Sequence, residues 1–252
     1  MAEPLPDLTI CCLAGAATVE TTRRFLGSVQ ATAGPVAVEV FVIASGSREE
    51  SAALAAEFSD TAIVAHNPAR FLNSAINQVI NGSTGRYFSV WNSAAVVSEG
   101  CLLSLVDFLD EVPDAGVAGP KMRDEAGVIQ QVARTFPPLF SLFWGAEYPP
   151  GRPAAGWNEY AGGEADWYAG PGITISRLLL DDIGGIHPHL PLSWPIDLCR
   201  RARRAGWHVH YLNDAQATGS LAAWRQTLSM GRDMSRRRVW EACLLAAAWR
   251  FR

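Results

Sequence analysis

The chain has 252 residues, of which 49% are hydrophobic and 18% are charged, and its formal net charge is −4. This length and apolar content allow one large α/β domain or two small ones, and they exclude a wholly disordered chain. The negative charge gives no reason to expect a nucleic-acid partner.

The charge is distributed unevenly along the chain. From Arg200 to the end there are 11 arginines and three acids, so this region carries about +8 and the rest about −12. After Arg236, basic and apolar residues recur at helical spacing. Such a segment fits a helix on an anionic membrane, a helix packed on the domain, or a helix in a homodimer. We therefore separate a C-terminal helical extension, residues 221–252, from a domain at 1–220.

Cysteine usage and the N-terminal sequence favour a reducing compartment. The five cysteines, at positions 11, 12, 101, 199 and 243, show neither zinc-site spacing nor a disulfide framework. The first residues lack the basic and apolar regions of a signal peptide, and no stretch approaches ~18 consecutive apolar residues. We expect a cytoplasmic protein whose C-terminal segment makes peripheral contact with the inner face of a membrane.

Hydrophobic periodicity predicts strands and helices that alternate over the first half of the chain. Short apolar runs predict strands at 8–13, 38–43, 61–65 and 87–91. Helical spacing predicts helices at 18–31, 49–58, 71–80 and 102–109. This alternation is typical of a parallel α/β sheet.

The second half of the chain contains further elements around an irregular segment. We predict strands at 117–120, 173–176 and 207–212, and helices at 177–183, 197–205 and over most of 222–252. Residues 123–165 lose periodicity and are rich in proline, glycine and aromatic residues. Such a segment is either a binding loop or a poorly ordered insertion.

A set of motifs, taken in chain order, resembles family 2 glycosyltransferases, especially their rhamnosyltransferase-like branch. The motifs are GluValPheValIle at 39–43, AsnSerAlaIleAsn at 73–77, AsnSerAlaAlaValVal at 92–97, ValAlaGlyProLysMetArgAspGluAlaGly at 117–127, TrpTyrAlaGlyPro at 167–171, GlyGly at 184–185, AspLeuCys at 197–199 and TyrLeuAsnAspAla at 211–215. The resemblance covers about residues 8–220. It implies the GT-A fold, a Rossmann-type and mostly parallel sheet flanked by helices. It also implies a nucleotide-diphosphate sugar as donor, a glycan as acceptor and a role in polysaccharide assembly.

Family 2 enzymes use acidic residues to recognise the nucleoside and to hold a divalent cation on the diphosphate. In this sequence the nucleoside acid corresponds to Ala44, which precedes Ser45. The metal motif corresponds to Asn92, Ser93 and Ala94, with Ala94 in place of the metal-binding carboxylate. Because alanine cannot bind a hard cation, we predict no metal cofactor, although the family usually uses Mg²⁺ or Mn²⁺.

The acceptor side departs from the family in the same way. A third acid normally deprotonates the acceptor hydroxyl, and its position corresponds to Trp194 and Pro195, neither of which can accept a proton. A histidine that often helps to hold the metal corresponds to Gly219 or Ser220. The altered positions together disfavour the usual metal-dependent mechanism.

Other residues of the family motifs could still contact a sugar nucleotide. Asn73, Asn77 and Asn92 could donate hydrogen bonds to a sugar or a nucleotide, or could cap or terminate helices. Gly170 and Gly172 correspond to a glycine pair that faces the sugar in the family, and a glycine-rich turn at a strand start is the alternative.

Histidines and one aspartate are the remaining catalytic candidates. His187 and His189 precede the missing base and could replace it, or could be exposed loop residues. Asp197 begins a predicted helix, where we favour a capping role over catalysis. His208 and His210 share one face of a strand, but a metal site needs a third ligand, so we expect structural placement.

Two main functional hypotheses follow from these residues. The first is an inverting glycosyltransferase-type protein that binds a nucleotide sugar through a metal-independent or rewired site. The second is a catalytically inactive pseudo-glycosyltransferase that acts as a binding or scaffold partner of active transferases. A non-catalytic carbohydrate-binding module is a third hypothesis. An acid elsewhere in the site, such as Glu99 or Asp166, would favour an active enzyme.

Overall fold

The computed structural model describes residues 5–15, 19–44, 48–58, 61–65, 72–138, 151–158 and 160–229. The strands are β1 Leu8–Gly15, β2 Val38–Ala44, β3 Thr61–Ala65, β4 Tyr87–Asn92, β5 Val96–Val97, β6 Ala115–Arg123, β7 Ile129–Gln130, β8 Ala133–Arg134, β9 Gly163–Glu164, β10 Trp167–Tyr168, β11 Ile173–Ser176 and β12 His208–Thr218. The helices are α1 Val19–Thr32, α2 Arg48–Glu57, α3 Leu72–Gly82, α4 Cys101–Glu111, α5 Arg177–Ile183, α6 Trp194–Arg204 and α7 Leu221–Leu228.

The main sheet has the order β3-β2-β1-β4-β11-β6-β12-β5, with β7 beside β6 and β9 beside β12. Neighbouring strands from β3 to β4 are parallel, β11 is antiparallel to both β4 and β6, and β12 is parallel to β6. The strands β1, β2, β3, β4, β6 and β12 therefore end on one side, which we call the carboxyl edge. The structure confirms the predicted α/β fold with a mostly parallel sheet.

The central strands are buried because helices cover both faces of the sheet. All six residues of β4 are buried, and β1 contributes Ile10, Cys11 and Cys12 with no exposed surface. Strands that are buried on both faces have nearly continuous apolar sequences, as β1 and β4 do. The buried hydroxyls of Ser89 and Thr174 satisfy each other across β4 and β11, at 2.8 Å.

Several bounds differ from the sequence prediction for identifiable reasons. Helix α6 begins at Trp194, three residues before the predicted start at Asp197, since Pro195 is compatible with the first helical turn. Strand β12 continues to Thr218 because an irregularity between Leu212 and Gln216 lets it pair further along β6. The segment predicted to be irregular contains the short strands β7, β8 and β9.

The C-terminal extension is only partly described. Helix α7 is its first part and packs against β1 and β4. Residues 230–252, which carry most of the predicted basic helix, lie outside the described residues. Within the described part of the chain, no helix combines the length and apolar character needed to cross a membrane.

The turn that leads into β11 requires glycine at position 172. Gly172 has a φ of +81°, and a Cβ there would lie 2.7 Å from Cη2 of Trp91 and 2.8 Å from Cγ of Pro120. The backbone of this turn therefore packs directly on a fully buried tryptophan of β4. Glycine satisfies both the positive φ and the close approach.

We predict that Gly172→Ala lowers the free energy of unfolding by about 3 kcal/mol, since it adds a buried clash to a left-handed conformation. Gly127→Ala is the matched control, because Gly127 has a φ of +82° and no neighbouring atom lies within 4 Å of the position that a Cβ would take. The control should lose about 1 kcal/mol. Urea denaturation of both variants measures the difference, and equal losses would contradict the packing argument.

Candidate functional site

The register of the parallel strands brings Ala44 and Asn92 to the end of β1. Gly15 pairs with Ala44 of β2, and Leu13 pairs with Asn92 of β4. The order of strands reverses between β1 and β4, and open α/β sheets bind ligands at the carboxyl ends of strands beside such a reversal. Ala44 is 8% exposed, and its predicted neighbour in the site, Ser45, lies outside the described residues.

Asn92 is buried at this edge with an unusual hydrogen-bonding state. Asn92 is 1% exposed, and neither its Nδ2 nor its Oδ1 has a hydrogen-bond partner among the described residues. The preceding Trp91 packs against Phe25 of α1, with ring centroids 6.0 Å apart. Because side chains alternate along a strand, Asn92 points to the opposite face of the sheet.

The turn after β4 is fixed by backbone hydrogen bonds. The amide of Ser93 donates to the carbonyl of Leu13 at 3.2 Å, and the amide of Ala95 donates to the carbonyl of Asn92 at 3.1 Å. Ser93 is 2% exposed, whereas Ala94 is exposed. The turn thus holds the Asn92 backbone in place and leaves the methyl group of Ala94 facing solvent.

The other two asparagines of the predicted site bind the loop between α5 and α6. Asn77 donates from Nδ2 to the carbonyl of Ile186 at 2.7 Å and accepts from the Ile186 amide at Oδ1, at 3.0 Å. Asn73 donates from Nδ2 to the carbonyl of His187 at 2.8 Å, and its Oδ1 has no hydrogen-bond partner within the described ranges. Both side chains therefore fix α3 to this loop.

Asp197 forms a largely buried ion pair with Arg201 one helical turn later. Arg201 Nε lies 2.8 Å from Asp197 Oδ2, and the side chains are 20% and 6% exposed. The same guanidinium donates to the carbonyls of Ile183 and Gly185, at 2.9 Å each. Asp197 thus orients an arginine that satisfies the C-terminal carbonyls of α5 and the turn after it. The Asp197 carboxylate lies in the first turn of α6 and not at the N-cap position, which is Ser193. The Ser193 side chain makes no capping hydrogen bond.

The predicted acceptor-side residues are buried beneath α7. Trp194 has no exposed surface and meets Trp224 of α7 edge-on, with ring centroids 6.4 Å apart and an interplanar angle of 71°. Pro195 is also buried. Ser220 caps α7 by accepting hydrogen bonds from the amides of Ala222 and Ala223. These positions are occupied by packing and helix capping.

The two glycines of the predicted sugar-facing pair are buried at the start of β11. A Cβ on Gly170 would lie 2.9 Å from Cγ1 of Val132 and 3.1 Å from the Tyr168 hydroxyl oxygen. That hydroxyl oxygen lies 2.8 Å from the carbonyl oxygen of Pro120. With Gly172 against Trp91, the glycines allow close packing of this turn on its neighbours.

The histidines lie in two separate places. His187 and His189 belong to the loop between α5 and α6, where the amide of His189 donates to Nδ1 of His187 at 3.2 Å. His208 Nδ1 lies 3.2 Å from Oε1 of Glu164 in β9. His210 packs against the ring of Phe108, and burial lowers its pKa.

Glu99 and Asp166, the two other acids considered for the candidate site, lie in different environments. Glu99 is exposed in the turn before α4. Asp166 accepts a hydrogen bond from the amide of Phe136 at 2.8 Å and lies 3.8 Å from Arg203. In the described part of the chain, no group of three or more His, Cys, Asp or Glu residues is arranged to hold a metal ion.

Two structurally important residues of this region are not among those predicted from the sequence. Arg201 stands four residues after Asp197, and this spacing on a helix is a recognisable signal for an ion pair. Trp224 has no such signal, since its contact with Trp194 depends on where α7 packs.

A sequence profile described as "Glycosyl transferase family 2" matches residues 17–160, more than half of the chain. No curated protein matches the sequence. The structure is similar to that of GalNAc-T7 with UDP, GalNAc and Mn²⁺, with a TM-score of 0.66 and 10% identity over 86% of this chain and 44% of the other. The chain therefore spans less than half the length of that relative.

Two further solved structures are similar over nearly the whole chain. One is TarS residues 1–349 from S. aureus, with a TM-score of 0.59 and 13% identity over 96% of this chain and 72% of the other. The second is the mannosyltransferase PcManGT from Pyrobaculum calidifontis in complex with GDP-Man and Mn²⁺. It has a TM-score of 0.60 and 15% identity over 99% of this chain and 77% of the other. At these identities the likeness shows a shared fold.

We predict that Asp197→Asn lowers the free energy of unfolding by about 3 kcal/mol, because it leaves Arg201 without its buried counter-ion. Glu20→Gln is the control, since it removes an exposed ion pair with Arg23 and should leave stability nearly unchanged. Thermal and urea denaturation measure both changes. Unchanged stability in Asp197→Asn would contradict the structural role of this carboxylate.

Proposed function

The chain belongs to glycosyl transferase family 2, and we propose that it binds a nucleotide-diphosphate sugar at the carboxyl edge for glycan or polysaccharide assembly. The observation that carries this proposal is the buried, unpartnered amide of Asn92 among the described residues. Of the candidate donor-binding residues, Asn92 combines a position beside the end of β1 with unmet hydrogen-bonding capacity on both side-chain atoms.

A buried amide without partners is energetically unfavourable in the ligand-free protein. Leaving a buried donor or acceptor unsatisfied costs about 1–3 kcal/mol. Native structures contain few such groups, and they often mark positions where a ligand or water completes the bonding. A nucleotide sugar offers both kinds of partner, since its hydroxyls donate and accept hydrogen bonds and its phosphate oxygens accept them. Asn92 Nδ2 and Oδ1 can therefore both be satisfied by one bound donor molecule.

The described residues at this edge do not fit a divalent cation. Mg²⁺ and Mn²⁺ need several oxygen ligands, usually including carboxylates. Here Asn92 offers one amide oxygen, whereas the side chains of Ala94 and Ala44 offer no oxygen. The solved structures of GalNAc-T7 and PcManGT contain Mn²⁺, so proteins of this fold include metal-bound ones. For this chain we propose donor binding that does not depend on a metal.

The acceptor side bears on whether the protein catalyses transfer. A general base must lie within hydrogen-bonding reach of the acceptor hydroxyl. Trp194 and Pro195 cannot accept a proton, and Asp197 is committed to Arg201. His187 and His189, in the loop between α5 and α6, are the remaining catalytic candidates, and we propose them as the groups to test in an active enzyme.

The second candidate function is an inactive pseudo-glycosyltransferase that binds the donor or a partner transferase. The specific observation in its favour is that Trp194, one of the two residues expected at the base position, is fully buried against Trp224. A protein without the base would still bind the donor but would not transfer the sugar. The active and the inactive candidate therefore share donor binding and differ in turnover.

We propose that residues 221–252 form an extension of the domain at 1–220, with α7 as its docked part. Its arginines support peripheral contact with an anionic membrane at the cytoplasmic side, or contact with a second copy.

Calorimetric titration with UDP-, GDP- and dTDP-sugars, in EDTA and in Mn²⁺, tests the proposed function. We expect one of these donors to bind with a Kd between micromolar and millimolar, and to bind equally well in EDTA. Absence of binding by every donor in both conditions would overturn the proposal. Binding that requires Mn²⁺ would overturn the metal-independent part of it. Release of free nucleoside diphosphate over time then distinguishes an active enzyme from the inactive alternative.

We predict that Asn92→Leu stabilises the free protein by about 1–2 kcal/mol and weakens donor binding at least about 10-fold, because it removes two unsatisfied buried atoms that the donor would satisfy. The control on the same strand is Ser89→Ala, which removes a buried hydroxyl that has a partner in Thr174. This control should lose about 1 kcal/mol and bind the donor normally. Loss of stability in Asn92→Leu would contradict the assignment.

A further inference from the structure

The Asn92 amide, on which the proposed donor site depends, is closed off from solvent in this structure. Asn92 is 1% exposed, and its Nδ2 and Oδ1 atoms are both buried. A nucleotide sugar is far larger than a water molecule, and even water does not reach these two atoms. A donor can therefore contact the Asn92 side chain only after a neighbouring element of the fold has moved away.

The chain that leaves β12 runs toward this residue. Thr218 of β12 pairs with Val96 of β5, and the two strands are antiparallel. The next residue continues in the same direction, since a Cβ on Gly219 would lie 3.6 Å from both Cα and Cβ of Ala95. Helix α7 then begins beside the turn that follows Asn92, and it packs on both β1 and β4.

Helix α7 also lies on the side of the sheet to which Asn92 points. Helices α1 and α3 connect strands in opposite directions across the sheet, so right-handed crossovers place them on opposite faces. Because Trp91 packs on α1, the next side chain, Asn92, points to the face of α3. On that side, Asn77 of α3 binds the loop before α6. Trp194, at the start of α6, in turn contacts Trp224 of α7.

Two buried side chains hold α7 against the domain. Trp224 and Leu228 have no exposed surface and stand one helical turn apart, on one face of the helix. The Trp224 ring meets the Trp194 ring edge-on, with centroids 6.4 Å apart. The other six residues of α7 are half-buried or exposed. Since the Ser220 side chain caps the helix, α7 can leave this contact as one folded unit.

The same contact contains polar groups that weaken it. Nε1 of Trp194 and Nε1 of Trp224 are buried and have no hydrogen-bond partner among the described residues. A buried donor without an acceptor is unfavourable, and contact with water would satisfy it. The unpaired indoles, together with the Asn92 amide, therefore narrow the free-energy difference between the packed and the displaced positions of α7.

We infer that α7 is a lid that covers the Asn92 amide and moves away from β1 and β4 when a nucleotide sugar binds. The identity of this ligand rests on the proposed function. A ligand that binds only the open form has an apparent Kd equal to its intrinsic Kd divided by the open fraction. Loosening the lid therefore strengthens donor binding, whereas loosening an element that merely supports the site would weaken it.

Solvent exchange of the Asn92 side-chain NH₂ protons, measured by NMR, tests the lid without any ligand. We expect Trp224→Ala to raise the exchange rate at least about 10-fold, since it removes the larger of the two anchors. Leu228→Ala, the smaller change, should raise it about 3-fold or more and guards against unfolding in the tryptophan variant. An unchanged rate in both α7 variants would overturn the inference.

The matched control is Phe108→Ala. Phe108 is a partly buried aromatic residue of α4 that packs on His210, away from α7. This variant should leave the Asn92 exchange rate within about 2-fold of the wild-type rate, because its effect does not pass through α7. Acceleration by Phe108→Ala equal to that by Trp224→Ala would indicate general loosening and would overturn the inference too.

Calorimetric titration with the donor that binds the wild-type protein tests the effect on binding. We expect Trp224→Ala and Leu228→Ala to lower the Kd about 3-fold or more, and Phe108→Ala to leave it unchanged. Equal or weaker binding by both α7 variants would overturn the lid while leaving the proposed donor site intact. If no donor binds any of these proteins, the proposed function fails, and faster Asn92 exchange in the α7 variants still supports α7 as the cover of this amide.

Discussion

The parallel pairing of β1 with both β2 and β4 determines where the candidate donor-binding residues lie. Since Leu13 pairs with Asn92 and Gly15 pairs with Ala44, the two positions flank the end of one strand. The strand order reverses at β1, and open α/β sheets bind ligands beside such a reversal. The buried packing of Gly172 on Trp91 supports β4 from the side of β11. The site is thus a consequence of strand register.

Hydrogen bonding divides the polar residues of the family motifs into two groups. Asn77 and Asp197 have structural roles. Asn77 binds the backbone of Ile186, and Asp197 forms an ion pair with Arg201. These contacts hold the loop between α5 and α6 against the rest of the domain. Asn92 remains without described partners, so its bonding capacity is available to a ligand.

The sequence predicts the local features of the fold well and the long-range ones poorly. Strand β11 and helix α5 have their predicted bounds, because apolar periodicity and the stop at Gly184 act locally. The position of Asn92 at the end of a strand is predictable for the same reason. Its lack of described partners is not, nor is the contact of Asn77 with Ile186, which joins residues 109 positions apart. The contact of Trp194 with Trp224 likewise depends on how α7 packs.

The central claim is that the Asn92 amide binds the donor directly and without a metal. The most direct measurement is the NMR signal of the Asn92 side-chain NH₂ group, assigned by its absence in Asn92→Leu, during titration with a nucleoside diphosphate in EDTA. We expect a saturable downfield shift of these protons, because an unpaired amide becomes hydrogen-bonded to phosphate or hydroxyl oxygens. An unchanged signal under saturating ligand would contradict the claim.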